Sequence, residues 1–200
     1  MTQKFLALAL SLMLTACADE PAAVKPLTLD YTRLGKITLA VGKLEFTNRA
    51  ALTPAKDADY FKQFQPQLAD GLYRWGADRL QAGGKQGSAV MIIQDAVFTR
   101  EILPHRTDIG SWFTREQGEK WSGRATVEIN VRDAADNFNG KANTTVTHTA
   151  TLPEEATEAE RQATYRRLLL GMLDDLNVQM ERAVREHLNA VVLTMPQSAP

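Results

Sequence analysis

The amino-acid pattern predicts an α+β chain folded as a two-layer sandwich, in which a mostly antiparallel sheet carries two helices and the C-terminal one is long. Three observations predict it. Short stretches of alternating apolar and polar residues recur between Lys36 and Leu152, a helical pattern interrupts them once near Pro66, and a second helical pattern of about 35 residues closes the chain. The expected order is strand, helix, strand, strand, strand, helix.

In "KITLAVGKLEF", Lys36 to Phe46, the residues Ile37, Leu39 and Val41 alternate, and Leu44 and Phe46 continue on the other parity. Gly42 sits at the switch, where a β-bulge is expected. "TNRAALTPAKDAD" reads as a loop. A helix is expected to begin near Pro66, a residue suited to a first helical position, and to carry Leu68, Leu72, Trp75 and Leu80 inward until Gly83 and Gly84 stop it.

"SAVMIIQDAVF", Ser88 to Phe98, is apolar on both parities, the pattern of a central strand covered on both faces. "RATVEINV" alternates Val127, Ile129 and Val131 with polar residues and reads as half-buried. After the turn "RDAADNFNG", "KANTTVTHTATL" sets Ala142, Val146, Ala150 and Leu152 against Thr145, Thr147, Thr149 and Thr151, an antiparallel hairpin with a wet outer face. The last helix opens on a capping box, Thr157 with Glu160. Its apolar seam is Tyr165, Leu169, Met172, Leu176, Met180, Ala183, His187 and Val191, with charged residues outside.

The N-terminus carries a different signal. The apolar run Phe5 to Leu14 is half of the roughly 20 residues that a helix needs to cross a hydrocarbon core. Lys4 before it and the small residues Thr15 and Ala16 after it complete the three-part layout of a secretory signal peptide. The run stops at Cys17, the only cysteine in the chain. "LTAC", Leu14 to Cys17, resembles a bacterial lipobox. That resemblance implies cleavage between Ala16 and Cys17, a diacylglyceryl group on the Cys17 sulfur, and an acylated new amino terminus. It also implies that Ala18 after the cysteine permits transfer to the outer membrane, with retention at the inner membrane as the alternative.

The expected organisation is therefore a signal peptide over 1–16, a lipidated tether over 17–26, one α+β domain over 27–193 and a disordered tail over 194–200. The tether "ADEPAAVKP" holds two prolines and, at roughly 3 Å per residue, reaches about 25 Å. Removing 16 of 200 residues leaves 184, enough for a sizeable core. With 23 Lys and Arg against 24 Asp and Glu, no basic excess favours nucleic acid. A folded part without thiols has no intramolecular disulfide, thiolate nucleophile or cysteine metal site.

No motif supplies chemistry. His105, His148 and His187 are not spaced as metal ligands, no G-x-S-x-G elbow surrounds a serine, and "RLQAGGKQGS" lacks the spacing of a P-loop. No metal or other cofactor is expected, and a hydrogen-bonded structural role suits the histidines better than catalysis. The acid pairs Asp174–Asp175 and Glu154–Glu155 read as solvated faces. Two groups remain as candidates. "LPHRTDIGSWFTREQGEKWSGR", Leu103 to Arg124, offers Trp112, Phe113 and Trp121 as a contact surface, or else extends the neighbouring strands into a longer hairpin. Trp75, His148 and His187 would line a pocket between sheet and helix.

Beyond the lipobox, the strand and loop "KITLAVGKLEFTNRA", the helix ending in "LQAGG" and the terminal helix after a hairpin are similar in layout to small envelope lipoproteins, such as the lipopolysaccharide-transport lipoprotein and the lipoproteins that activate peptidoglycan synthases. The resemblance implies a lipid-anchored, non-enzymatic accessory or scaffold protein that binds a larger envelope assembly, its oligomeric state open. The rival expectation is a periplasmic ligand-binding protein or hydrolase.

Overall fold

In a computed structural model, the described residues are 27–50, 57–104 and 117–193, with Phe138 described by its backbone alone. The expected signal peptide, tether and tail lie outside them, and with them Ala16 and Cys17. So do His105, Trp112 and Phe113.

The elements are β1 (Ile37–Leu39), β2 (Lys43–Asn48), α1 (Ala58–Phe61), α2 (Leu68–Arg79), β3 (Leu80–Ala82), β4 (Ser88–Ile102), β5 (Gln117–Arg132), β6 (Phe138–Pro153) and α3 (Glu158–His187). Four strands form the main sheet in the order β2-β4-β5-β6, and β1 pairs with β3 in a small second sheet. The pairs β4–β5 and β5–β6 are antiparallel, while β2–β4 and β1–β3 are parallel. The α+β two-layer expectation holds: α2 and α3 cover one face, and their apolar residues meet Met91, Val127, Ile129 and Val146 in one core.

Several boundaries differ from expectation, each for a physical reason. The parity switch at Gly42 is a strand break, not a bulge. The chain leaves one sheet and enters the other there, with Gly42 N–H donating to the carbonyls of Gln86 and Gly87 at 2.9 and 3.1 Å. The expected loop after Asn48 contains the one-turn helix α1. Leu80 does not continue α2. It takes extended backbone and begins β3, because pairing with Ile37 draws residues 80–82 into the small sheet.

In β4, a central strand as expected, the apolar residues on two parities have two causes: before residue 94 both faces are covered, Ile92 being 6% exposed on the face away from the helices, and beyond it a bulge reverses the alternation. The register with β5 shifts between Ile93 and Asp95, leaving Gln94 as a bulge. Ala89, Met91 and Ile93 face the core before it, Ala96 and Phe98 after it, since one extra residue reverses the alternation. On the other face Val90 and Ile92 lie under the side chains of Arg49, Asn130 and Arg132, with no element above them among the described residues.

β5 and β6 follow the expected alternation, and the threonine ladder is exposed. At α3 both arms of the capping box form: Thr157 Oγ1 accepts from Glu160 N–H at 3.2 Å, and Glu160 Oε2 accepts from Thr157 N–H at 2.7 Å. The seam holds from Tyr165 to Ala183. It fails at His187, which is exposed: the helix ends over the start of β6, where the facing residue is Gly140, and Leu188 closes the core instead.

Candidate functional site

The expected pocket of Trp75, His148 and His187 does not assemble. Trp75 is fully buried, and its Nε1 donates to Asn177 Oδ1 at 3.0 Å, on the side of α3 that meets α2. His148 is half-buried, its ring against Gly171 and its Nε2 bonded to Asp175 Oδ2 at 2.8 Å, on the side that meets β6. His187 is twelve residues beyond Asp175, about 18 Å along a helix at 1.5 Å per residue. These are three separate places.

Trp121 also differs from a loop contact residue. The β4–β5 hairpin extends to Ile102 paired with Glu119, so residues 117–124 are strand and Trp121 points inward, 0% exposed. It belongs to an aromatic cluster with Tyr60, Phe61, Phe64, Phe98 and Tyr165. Phe61 meets Trp121 edge-on with centroids 5.2 Å apart, and Phe64 stacks on Tyr165 at 5.0 Å. Such offset and edge contacts fix ring orientation as well as burying area.

A polar network seals this cluster on one side. Glu119, 8% exposed, accepts from Trp121 Nε1 at 2.8 Å and from Arg161 Nη1 at 2.7 Å, and the same Arg161 nitrogen donates to Tyr60 Oη at 2.9 Å. Burial alone lowers the pKa of a guanidinium, but the bonds to Glu119 and Tyr60 prevail and raise that of Arg161. Arg100 lies over the Tyr60 ring, 4.1 Å from its centroid.

On the other side of the cluster lies a half-open cavity of about 420 Å³. Its floor is Phe61, Leu68, Ala96 and Phe98, with Ala50, Ala58 and Ala69 giving room where longer side chains would fill it. The rim is Lys62, Gln65, Gln67 and Asp70. Lys62 Nζ is held by Asp59 Oδ1 at 2.6 Å, so its charge is already matched. A mostly apolar concavity of this size with a few polar groups at its mouth is the ordinary form of a binding site. Among the described residues, no three or more His, Cys, Asp or Glu side chains are grouped to hold a metal ion.

No family model matches the chain, and no curated protein matches it. Its structural neighbours include bacterial lipoproteins. A minor lipoprotein from Acinetobacter baumannii is 19% identical, with a TM-score of 0.38 over 79% of this chain and 99% of the other. Rare lipoprotein B from Shewanella oneidensis is 9% identical, with a TM-score of 0.39 over 72% of this chain and 96% of the other. Lipoprotein GNA1162 from Neisseria meningitidis is 5% identical, with a TM-score of 0.23 over 70% and 99%.

The cavity escapes a reading of the sequence because it needs two features that periodicity does not show. One is α1, a single turn too short for a helical period. The other is the bulge at Gln94, which turns Ala96 and Phe98 toward it. The four alanines at 50, 58, 69 and 96 were the available signal, but alanines spread over 47 positions converge only in three dimensions.

Proposed function

We propose that this chain is a lipid-anchored accessory protein of the bacterial cell envelope, held by acyl chains on Cys17 and docking onto a larger envelope assembly without catalysing a reaction. One observation carries the reading: the apolar run Phe5 to Leu14 is too short to span a bilayer and ends at "LTAC", with the chain's single thiol at the position of acyl attachment. Each buried methylene contributes about 0.8 kcal/mol, so two or three acyl chains hold a protein to a membrane where one myristoyl-length chain does so marginally. Among the described residues no helix is long and apolar enough to cross a membrane.

The division into signal peptide, tether, domain and tail at residues 16, 26 and 193 belongs to the same proposal. Leu27 packs against the core and Leu29 is buried, which supports a domain boundary there. Placement at the periplasmic face of the outer membrane rests on Ala18 after the lipidated cysteine.

Intact-mass measurement of the native protein tests the anchor. The expected form begins at Cys17 and carries diacylglyceryl and acyl groups, and Cys17→Ala yields an uncut, unlabelled precursor. An unmodified thiol, or a mature form that starts elsewhere, overturns the reading. Crosslinking in intact cells followed by mass spectrometry identifies the partner.

A second reading, a periplasmic ligand-binding protein, is favoured by the cavity beside Phe61 and Phe98. It replaces the pocket expected around Trp75, His148 and His187.

A further inference from the structure

The main sheet ends in two strands of different kind. β2 is 6 residues long and carries Lys43 and Glu45, charges of the kind that discourage a further strand. β6 is 16 residues long, and the eleven from Ala142 to Leu152 include no Lys, Arg, Asp, Glu or Pro. The chain enters β6 from the turn Asp133–Asn137 and leaves it through residues 154–157 into α3, so neither connection runs along this edge. Leu103 N–H donates to Gly118 O at 2.9 Å, which sets the even-numbered residues of β5 toward β4 and the odd-numbered ones toward β6. The odd-numbered residues of β5 pair with the even-numbered ones from Gly140 to Leu152. The backbone groups of Lys141, Asn143, Thr145, Thr147 and Thr149 therefore point away from the sheet, and among the described residues no backbone group bonds to them.

We propose that β6 is the interface with a second copy of this chain, the two strands running antiparallel about a two-fold axis at Thr145 and joining two four-stranded sheets into one. The occupant follows from the strand itself. Under such an axis residues equally far from Thr145 on either side face each other, so parity is kept and outward backbone meets outward backbone. Thr145 meets Thr145, Asn143 meets Thr147 and Lys141 meets Thr149, with no like charges opposed. Five such pairs, each exchanging two bonds, give about ten backbone hydrogen bonds, the number an ordinary stable interface carries. The helix above the strand agrees with this register. Gly171 lies against the His148 ring and the carbonyl of His187 near Gly140, so α3 crosses β6 with Val178 at about the level of Thr145. The two α3 helices then run antiparallel, with Val178, 59% exposed, close to the axis. Arg182 and Asp175, both exposed, lie on one flank of α3 about two turns apart, and the axis sets Arg182 at about the level of Asp175 of the second copy, so opposite charges meet twice. The inference goes beyond the docking role proposed above and does not rest on it, because the edge belongs to the fold and not to the anchor.

The test uses the full mature chain in a large excess of detergent micelles, so that two anchors do not share one micelle. Sedimentation velocity is expected to show a dimer that dissociates on dilution. Thr145→Lys, which sets two ammonium groups against each other at the axis, is expected to raise its dissociation constant about fivefold or more. Thr145→Cys reads the register whether or not that variant folds. Its sulfurs meet across the axis, and diamide is expected to link most chains as dimers, whereas Thr149→Cys, about 27 Å from its copy at ~3.4 Å per residue, is expected to stay unlinked. A wild-type chain that is monomeric at its highest soluble concentration overturns the proposal. So does a dimer that Thr145→Lys leaves as tight as before, and so does linkage of Thr149→Cys as complete as that of Thr145→Cys. Protection of the Thr145 amide from hydrogen exchange that persists in the diluted monomer also overturns it, since that assigns the edge to another segment of the same chain. The mass of the Cys17 peptide, measured on the same sample, reads the anchor separately.

Discussion

Glu119 and Tyr31 are ionisable residues held away from water, and each has a measurable consequence. The Glu119–Arg161 pair is mostly shielded, with side chains 11% and 18% exposed, and Glu119 also satisfies the indole of Trp121. Removing one partner of such a pair leaves the other charge and a buried N–H unmatched, so Glu119→Ala is expected to cost about 3 kcal/mol in urea denaturation. Glu119→Gln keeps an acceptor for Trp121 and is expected to cost less. Tyr31 is buried, and burial, with the charges of Asp174 and Asp78 adding to it, raises its pKa from 10.0 to about 12. The unfolded chain ionises this phenol first. Its contribution to stability is therefore fully present below pH 10 and is lost as pH rises through about 12. Tyr165, whose hydroxyl donates to the carbonyl of Pro66 at 2.9 Å, is raised by burial in the same direction. Urea midpoints between pH 9 and 12 are expected to fall, and to fall less steeply in Tyr31→Phe; an unchanged slope would contradict the assignment.

At the scale of elements, the crossing between the two sheets is the most sterically determined part of the fold. A Cβ on Gly42 would stand 2.8 Å from the backbone carbon and oxygen of Lys85, and one on Gly84 would stand 2.5 Å from the carbonyl carbon of Ala40. Backbone cannot swing aside as a side chain can, so Gly42→Ala is expected to cost about 1–3 kcal/mol, the ordinary range for overpacking. By contrast the Cβ of Gly71→Ala would meet the movable end of Leu173, and its cost is expected to be smaller when the two are compared by urea denaturation. These glycines also mark where the pattern stops being readable. The elements β5, β6 and α3 were legible because long alternations and a 30-residue helix each bury one face repeatedly, and Thr157 announced the helix start. The break at Gly42 looked like a bulge, and the real bulge at Gln94 was hidden behind the two-sided burial of Ala89 to Ile93, because both reverse parity and sequence does not distinguish them. Arg79 shows a further limit. It sits among the charged positions of a helix, yet it is 1% exposed, with Nη2 on Glu181 at 2.5 Å and Nε on Asn177 at 3.1 Å, partners about a hundred residues away. Trp121 followed the same logic: its parity in β5 was hidden until the hairpin was known to reach Ile102.

Across the whole molecule, the two ends of the domain are held together by the small sheet, and this makes the C-terminal residues structural. Ala40 N–H donates to Val191 O at 2.7 Å, Leu193 N–H donates to Thr38 O at 2.8 Å, and Leu39 bridges Val192. Leu39 is fully buried, and Val191 and Val192 pack against the core, so β1 is flanked by β3 on one side and by the chain's last described residues on the other. A three-residue strand paired on one side only has little to resist fraying, since each ladder bond contributes about 1 kcal/mol net. Truncation after Asn189 removes two such bonds and the partial burial of two valines, a loss of about 3 kcal/mol together. With an m-value of roughly 2 kcal/mol/M in urea, the midpoint should fall by about 1.5 M, and amide exchange in β1 and β3 should rise before that of β5. Truncation after Leu193 is expected to leave the midpoint unchanged. If instead the shorter chain unfolds at the same urea concentration as the longer one, the terminal bridge does not secure β1, and the main sheet with α2 and α3 carries the stability alone.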